Sequence, residues 1–300
     1  MFRQAIALAG GFTSPVVLSR KTVEGACSSA IGAFVVVNRD GWIITAGHML
    51  KQLEDLILGD QSRRAYKSQR AAIENDSSIG SSEKKRRIAA LPKFKKNDTD
   101  RSSAWWGRDG VQAVNRAWID TADIGIARLE PFDPSWFSAY PVFKDPTKDF
   151  RPGASLCTFG FPFHSIKPQW DEAVLSFKLP VGALPIPYFP MSGIFTRMAE
   201  IVLVDQHGQL LPPPQFPLRW IETSYPGLKG QSGGPIIDPQ GSVWGIQCNT
   251  VSYPLGFDPP VPGRLGATEH QFLNCGRGVH PDTIFGLFNQ FGVKYDVSSY

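Results

Sequence analysis

The hexapeptide Gly-Gln-Ser-Gly-Gly-Pro at residues 230–235 constrains this chain more than any other stretch. Glycines on both sides of Ser232 accept backbone angles that a residue with a Cβ avoids, so the segment predicts a sharp, tightly packed turn. The same glycines let main-chain N–H groups approach a ligand oxygen closely. A serine presented in this way is typical of an enzyme nucleophile, and a tight turn without chemistry is the alternative.

Two upstream segments supply the partners that a nucleophilic serine requires. Thr45-Ala46-Gly47-His48 closes one apolar run, and Ala122-Asp123-Ile124-Gly125-Ile126-Ala127 opens another. A serine hydroxyl is a weak nucleophile at neutral pH, so it needs a base such as His48 within hydrogen-bond reach. Asp123 can accept the second imidazole N–H. Asp120 competes for this role, but the apolar alternation that follows Asp123 favours Asp123.

The order His48, Asp123, Ser232 along the chain resembles that of the trypsin/chymotrypsin-like serine proteases. The resemblance covers roughly residues 25 to 292 and includes the segments at 42–48 and 241–246. It is closer to the bacterial Deg-type members than to the secreted digestive ones. The resemblance implies a serine endopeptidase that works through an acyl-enzyme, with no metal and no other cofactor.

The resemblance also implies a role for individual residues. The catalytic residues would be His48, Asp123 and Ser232, and the backbone N–H groups of Gly230 and Ser232 would form the oxyanion hole. Two segments would form the substrate pocket: Tyr225, Pro226, Gly227, Leu228 and Lys229 before the nucleophile, and Cys248, Asn249 and Thr250 after it. Because the first of these segments holds no acidic residue, we expect a small or medium uncharged side chain at the cleaved position.

Gln231 stands where zymogen-activated relatives carry an aspartate that pairs with a newly cut N-terminus. Glutamine cannot form that ion pair, so we predict an enzyme that is not activated by N-terminal cleavage. We expect Gln231 to contribute its backbone to the turn, rather than its side chain to the chemistry.

Apolar runs of period two, separated by turn residues, predict an all-β protein. The expected strands lie at 32–38, 41–45, 112–119, 123–129, 155–159, 200–205, 219–223, 234–237 and 243–247. The resemblance implies two six-stranded Greek-key barrels, with the catalytic residues at their seam. We place the first barrel at residues 1–135 and the second at 136–300, with a closing helix at about 281–291.

A basic block lies between His48 and Asp123. Residues 61–101 hold twelve Lys/Arg against five Asp/Glu, whereas the whole chain carries a net charge of +4. The composition predicts an insertion in the first barrel that is helical or partly disordered. Such a block is usually a solvated face. The alternative function is a catalytically silent protease-fold module that binds a protein or nucleic-acid partner through 61–101. Nucleic acid is the less favoured of the two, although Trp105-Trp106 could stack on bases.

The remaining composition bears on location. No apolar run approaches the roughly 20 residues of a membrane helix, and the short run at 5–9 does not form a convincing signal peptide. We therefore expect a cytoplasmic protein whose partners are protein or peptide substrates and not a membrane. The cysteines show no tight pairing, which favours reduced thiols over the alternative Cys248–Cys275 disulfide; they are Cys27, Cys157, Cys248 and Cys275. The histidines outside the triad lack metal-ligand spacing; they are His164, His207, His270 and His280.

Overall fold

The computed structural model describes residues 1–203, 205–212, 214–256 and 271–300. His270 lies outside these residues. Strands from the first half of the chain form one sheet, and strands from the second half form another. The arrangement of strands in the two sheets is what decides the fold class.

The first sheet has six strands, and each neighbouring pair is antiparallel. They are β1 (Thr13–Thr22), β2 (Cys27–Val36), β3 (Trp42–Ala46), β4 (Thr99–Trp106), β5 (Gln112–Ile119) and β6 (Ile124–Glu130). Their order is β4-β1-β2-β3-β6-β5, in which the fourth strand returns to lie beside the first, as in a Greek key. The end strands β4 and β5 contact each other, so the sheet curls into a barrel.

The second half of the chain contributes the remaining strands. They are β7 (Val142–Phe143), β8 (Ser155–Thr158), β9 (Gln169–Asp171), β10 (Ser176–Lys178), β11 (Met191–Glu200), β12 (Arg219–Thr223), β13 (Pro235–Ile237), β14 (Val243–Pro254), β15 (Phe272–Val279) and β16 (Asp296–Val297). Six of them follow the order β13-β8-β11-β12-β15-β14, and pairing between β13 and β14 closes the ring. This is the same order as in the first barrel. Strands β7 and β16 extend the β14 edge, and β9 pairs with β10 alone.

Within the described ranges, four α-helices and one short 3-10 helix accompany the barrels. They are α1 (Arg3–Gly10), α2 (Gly47–Asn75), α3 (Ser81–Ala89), α4 (Pro281–Gln290) and the 3-10 helix Pro134–Trp136. The prediction of a double β-barrel with a helical insertion and a closing helix is confirmed. The helices begin before the basic block, because α2 starts at Gly47. The block's last residues, 99–101, belong to β4.

The basic block is largely ion-paired. Eight of its twelve cationic side chains lie within 4.0 Å of a carboxylate: Arg63, Arg64, Lys67, Arg70, Arg86, Arg87, Lys96 and Arg101. Asp60 and Asp100, both buried, each serve more than one cation and tie α2 to β4. Much of the block's positive charge is therefore used within the fold. Of the two tryptophans that follow it, Trp106 is buried against Phe34 at 5.4 Å between ring centroids.

One predicted strand is wrong. The run at 200–205 reads as extended, but β11 already ends at Glu200. The carboxylate of Asp205 accepts the backbone N–H groups of His207 and Gln209 and so starts a turn instead. The boundary between residues 135 and 136 stays a prediction; it falls within the 3-10 helix that follows β6.

A shared core joins the two barrels. One buried cluster contains Ile44, Ala122 and Ile124 from the first half together with Ile246 and Cys248 from the second. Helix α1 adds Ala5 and Ala9 to the same cluster, so the N-terminal apolar run is part of the fold. None of the helices in the described ranges is long and apolar enough to cross a membrane. All four cysteines are free, and three of them are buried.

Candidate active site

His48 and Asp123 are joined by their side chains at the start of helix α2. His48 Nδ1 lies 2.9 Å from Asp123 Oδ2, and the His48 backbone N–H donates to Asp123 Oδ1 at 2.8 Å. A carboxylate can only accept, so this contact places the ring proton on Nδ1 and leaves Nε2 free to act as a base. Asp123 has φ of 55°, a left-handed conformation that aspartate tolerates. The competing residue Asp120 instead pairs with Lys51 at 2.8 Å on the surface.

The loop that carries Ser232 is held by main-chain contacts. Gly230 has φ of 101°, and a Cβ there would come 2.4 Å from the carbonyl oxygen of Phe161. Gly233 has φ of 85°, and a Cβ there would come 2.0 Å from the carbonyl oxygen of Ala33. Both positions therefore require glycine, for its backbone angles and for its lack of a side chain. This explains the two glycines that bracket Ser232 in the sequence.

Ala33 of β2 connects the serine loop to the histidine strand. Its N–H donates to the carbonyl oxygen of Ser232 at 2.8 Å, and its own carbonyl accepts from the Thr45 hydroxyl at 2.7 Å. At the neighbouring Gly32, a Cβ would come 2.8 Å from Met49 Cε and 3.2 Å from the Ser232 carbonyl oxygen. Residues on either side of His48 thus lie against the same short stretch of β2 as Ser232. Across the described residues, the Ser232 hydroxyl makes no direct hydrogen bond to the His48 ring.

The two candidate oxyanion donors are not used elsewhere. Within the described part of the chain, neither the Gly230 N–H nor the Ser232 N–H donates a hydrogen bond. Their neighbours do, since the Gln231 N–H donates to Leu228 O and the Gly233 N–H donates to Gln247 O. Two such N–H groups on either side of Gln231 can receive a negatively charged oxygen.

The side chain of Gln231 is hydrogen-bonded inside the protein, as well as its backbone. It is fully buried, with 0 % exposed, and both of its amide atoms are bonded. Its Oε1 accepts from the Leu228 N–H at 2.8 Å, and its Nε2 donates to the Phe189 carbonyl at 3.3 Å. The side chain of Gln231 therefore adds to the turn beside its backbone, a contribution that the sequence analysis did not predict. A single sequence gives no signal for this, because Phe189 is 42 residues away.

The two segments of the candidate substrate pocket meet directly. The Thr250 hydroxyl donates to the Gly227 carbonyl at 2.7 Å, and a Cβ on Gly227 would come 2.1 Å from Gln247 Nε2. The side chains of Thr250 and Gln247 therefore fill the space beside Gly227. Gln247 is buried, and its Oε1 has no hydrogen-bond partner among the described residues. Gln247 is a further candidate pocket residue that the sequence analysis missed, although it directly precedes Cys248.

The other candidate pocket residues are placed differently from one another. Tyr225 is buried and shares a hydrogen bond of 2.8 Å with the Thr158 hydroxyl, and burial raises its pKa. Cys248 is also buried, and burial followed by the nearby charge of Asp123 raises the pKa of its thiol. Leu228 and Lys229 line a separate cavity of about 390 Å³ beside Gly230. Pro226 is half-buried, and Asn249 is exposed.

The two six-stranded barrels, with the same strand order, form the double β-barrel that the resemblance to trypsin-like serine proteases predicted. The scan against protein-family models found no match, and the search of curated proteins found none. Solved structures do match. The HtrA-type protease AlgW with a tripeptide is 13 % identical with a TM-score of 0.45; the alignment covers 98 % of this chain and 64 % of that chain. The chain thus spans less than two thirds of the length of the AlgW structure.

Another similar structure is the active form of the Rv3671c protease from M. tuberculosis. It is 13 % identical with a TM-score of 0.48, over 98 % of this chain and 88 % of that one. The inactive form of the same protein from M. tuberculosis H37Rv, a Ser343Ala mutant by its own numbering, has a TM-score of 0.46 at 13 % identity, over 98 % of this chain and 93 % of that one.

Proposed function

We propose that this protein is a serine endopeptidase that uses Ser232, His48 and Asp123 and needs no N-terminal cleavage for activity. The observation that carries the proposal is the contact of 2.9 Å between His48 and Asp123. Ser232 is hydrogen-bonded to β2, the strand that the residues beside His48 also contact. Tautomer control by an aspartate is what a histidine base requires. The backbone N–H groups of Gly230 and Ser232 donate no hydrogen bond within the described residues, so both can stabilise a negatively charged oxygen.

In the proposed reaction, His48 Nε2 takes the proton of the Ser232 hydroxyl as Oγ bonds to the scissile carbonyl carbon. The carbonyl oxygen becomes an oxyanion between the N–H groups of Gly230 and Ser232. The carbon–nitrogen bond then breaks, and His48 gives its proton to the leaving amine. Water, deprotonated by His48, then attacks the carbonyl carbon of the ester. The bond from this carbon to Ser232 Oγ breaks, His48 returns the proton to Oγ, and the acid is released. Asp123 stays ionised throughout and stabilises the imidazolium.

The proposed substrate is a peptide with a short uncharged side chain at the cleaved position. Support comes from the side chains of Thr250 and Gln247, which fill the space beside Gly227 between the two pocket segments. A positional-scanning peptide library tests this, and a strong preference for Arg or Lys would contradict it.

Hydrolysis of fluorescent casein tests the proposal as a whole. We expect wild type to cleave it, and the Ser232→Ala and His48→Ala variants to lose roughly 10⁴-fold or more of that rate. Ser78→Ala and His207→Ala are matched controls, because both residues lie on the surface away from the site, and we expect wild-type rates from them. Cleavage that survives in Ser232→Ala would refute the role of this serine.

The alternative is a catalytically silent module that binds a partner through the basic block. Lys85, Lys93 and Lys95 are its best candidates, since they form no ion pair within the described residues. The proposed function predicts that replacing these three lysines by glutamate leaves casein hydrolysis unchanged. A folded wild type without hydrolysis would favour the alternative, as would a binding function lost on this charge reversal.

A further inference from the structure

The turn at residues 228–232 carries the Gly230 N–H and is called the oxyanion turn below. Within it, the fully buried Gln231 is hydrogen-bonded twice to Leu228. Its backbone N–H donates to the Leu228 carbonyl at 2.9 Å, while its side-chain Oε1 accepts the Leu228 N–H at 2.8 Å. The two bonds run in opposite directions between the same two residues. They fix both ends of the stretch that contains Gly230.

Gly230 is also held from its own carbonyl side. That carbonyl accepts the Phe161 N–H at 2.9 Å, and the space beside its Cα is occupied by the Phe161 carbonyl. With its neighbours tied at Leu228 and Gln231, the Gly230 peptide is restricted in how it can turn. The direction of the Gly230 N–H therefore depends on the contacts of Gln231.

The second amide atom of Gln231 reaches outside the turn. Its Nε2 donates to the Phe189 carbonyl at 3.3 Å, and the Phe189 N–H donates to the Gly160 carbonyl at 2.8 Å. Gly160 in turn lies against Gln231, because a Cβ there would come 2.7 Å from Gln231 Cα. Phe189 is thus the end of a surface segment that is bonded to the oxyanion turn through one side chain.

We propose that Gln231 is a positioning residue whose side chain holds the Gly230 N–H in its oxyanion-binding direction and couples it to Phe189. This inference rests on the proposed endopeptidase function. In relatives with an aspartate at this position, the turn is held by an ion pair between that aspartate and a newly cut N-terminus. In this chain, the Gln231 amide holds the turn with neutral hydrogen bonds. The oxyanion turn is consequently formed without proteolytic processing.

The test compares Gln231→Met, which loses both side-chain hydrogen bonds at similar volume, with Asn38→Leu. Asn38 is the matched control because its amide also bonds a distant backbone carbonyl, that of Lys294 at 2.8 Å, away from the site. We expect Gln231→Met to lower kcat by about 10²-fold, the effect of losing an oxyanion donor, with KM within about twofold. Affinity for a peptide aldehyde, which forms an oxyanion, should fall in parallel. Asn38→Leu should keep both values.

Backbone amide hydrogen exchange supplies a readout that does not depend on activity. We expect Gln231→Met to exchange faster than wild type at residues 226–234 and 186–192, and Asn38→Leu to match wild type there. If Gln231→Met does not fold, Gln231→Glu carries the test. Glutamate keeps the acceptor for Leu228 but lacks the donor for Phe189, so faster exchange is expected at 186–192.

The outcomes separate this inference from the proposed function. An active wild type, with Gln231→Met unchanged in kcat and in exchange, would overturn the positioning role and leave the endopeptidase intact. Equal loss of kcat in Gln231→Met and Asn38→Leu would also overturn it, because that is general destabilisation. An inactive wild type whose exchange still responds to Gln231→Met would support the coupling and refute the proposed function.

Discussion

The two halves of the candidate site are held by different kinds of interaction. On the first barrel, His48 and Asp123 meet through their side chains, which are 45 % and 19 % exposed. On the second barrel, Gly230, Gln231 and Gly233 are buried, and the loop is fixed by main-chain hydrogen bonds and close backbone approaches. The acid–base half can therefore be altered one side chain at a time, with little change in fold. In the nucleophile half, Gly230 and Gly233 cannot be replaced without moving the backbone.

Replacing Asp123 by asparagine should have the largest effect on rate at the smallest cost in stability. An amide can donate its N–H to the ring and so favour the wrong histidine tautomer, and we expect kcat to fall about 10⁴-fold. The measurement is kcat at pH 8 together with the thermal unfolding midpoint. Asp120→Asn is the control, since its exposed pair with Lys51 contributes little. Similar rate losses in both variants would contradict the assignment of Asp123.

Replacing Gly233 by alanine should damage both rate and stability. The new Cβ would collide with the Ala33 carbonyl and with Thr45 Oγ1, and it would strain a positive φ. A displacement of the loop by about 1 Å can cost about 10²-fold in rate. We expect that loss together with about 3 kcal/mol of unfolding free energy, measured by denaturant titration.

Gly110→Ala is the control for this variant, because Gly110 has φ of 77° but no atom within 4 Å of a Cβ. Strain alone should cost it about 1 kcal/mol and leave kcat unchanged. If Gly233→Ala behaved like Gly110→Ala, the nucleophile loop would be less tightly fixed than its contacts indicate.

The smallest expected effect on rate lies outside both halves, at His280. This residue caps α4 by accepting the Asp282 N–H at 3.1 Å and packs edge-to-face against Phe150, and burial lowers its pKa to about 4. The unfolded chain, with a pKa near 6.5, binds the proton more readily. The stability that neutral His280 contributes is therefore fully present above pH 6.5. It is lost as the pH falls toward 4, by at most about 3 kcal/mol.

Urea titrations of wild type and His280→Asn between pH 4 and 8 measure this loss. Asparagine retains a capping oxygen but does not titrate, so its stability should vary less with pH. Equal pH dependence in the two proteins would show that acid destabilisation arises elsewhere in the protein.

Local patterns predicted the parts of the fold that depend on local chemistry. The strands predicted at 112–119 and 219–223 match β5 and β12 at both ends. The start of α2 at Gly47 was not predicted, because the segment up to His48 reads as a continuous strand end. The extent of β14 to Pro254 depends on pairing with β15, which no local pattern records.

The same division applies to the site. The residue types around His48, Asp123 and Ser232 carried a recognisable signal, and the structure brings His48 and Asp123 into contact. The contacts of Gln231 with Phe189 and of Gly227 with Thr250 join residues that are distant in sequence. Such contacts follow from tertiary packing, and composition or periodicity does not reveal them.

Covalent labelling with a fluorophosphonate probe tests the central claim most directly. The account predicts that folded wild type is labelled, that mass mapping places the adduct on the Ser232 hydroxyl, and that labelling disappears in both Ser232→Ala and His48→Ala. A folded wild type that takes no label, or an adduct on any other residue, would contradict the claim that Ser232 is an activated nucleophile.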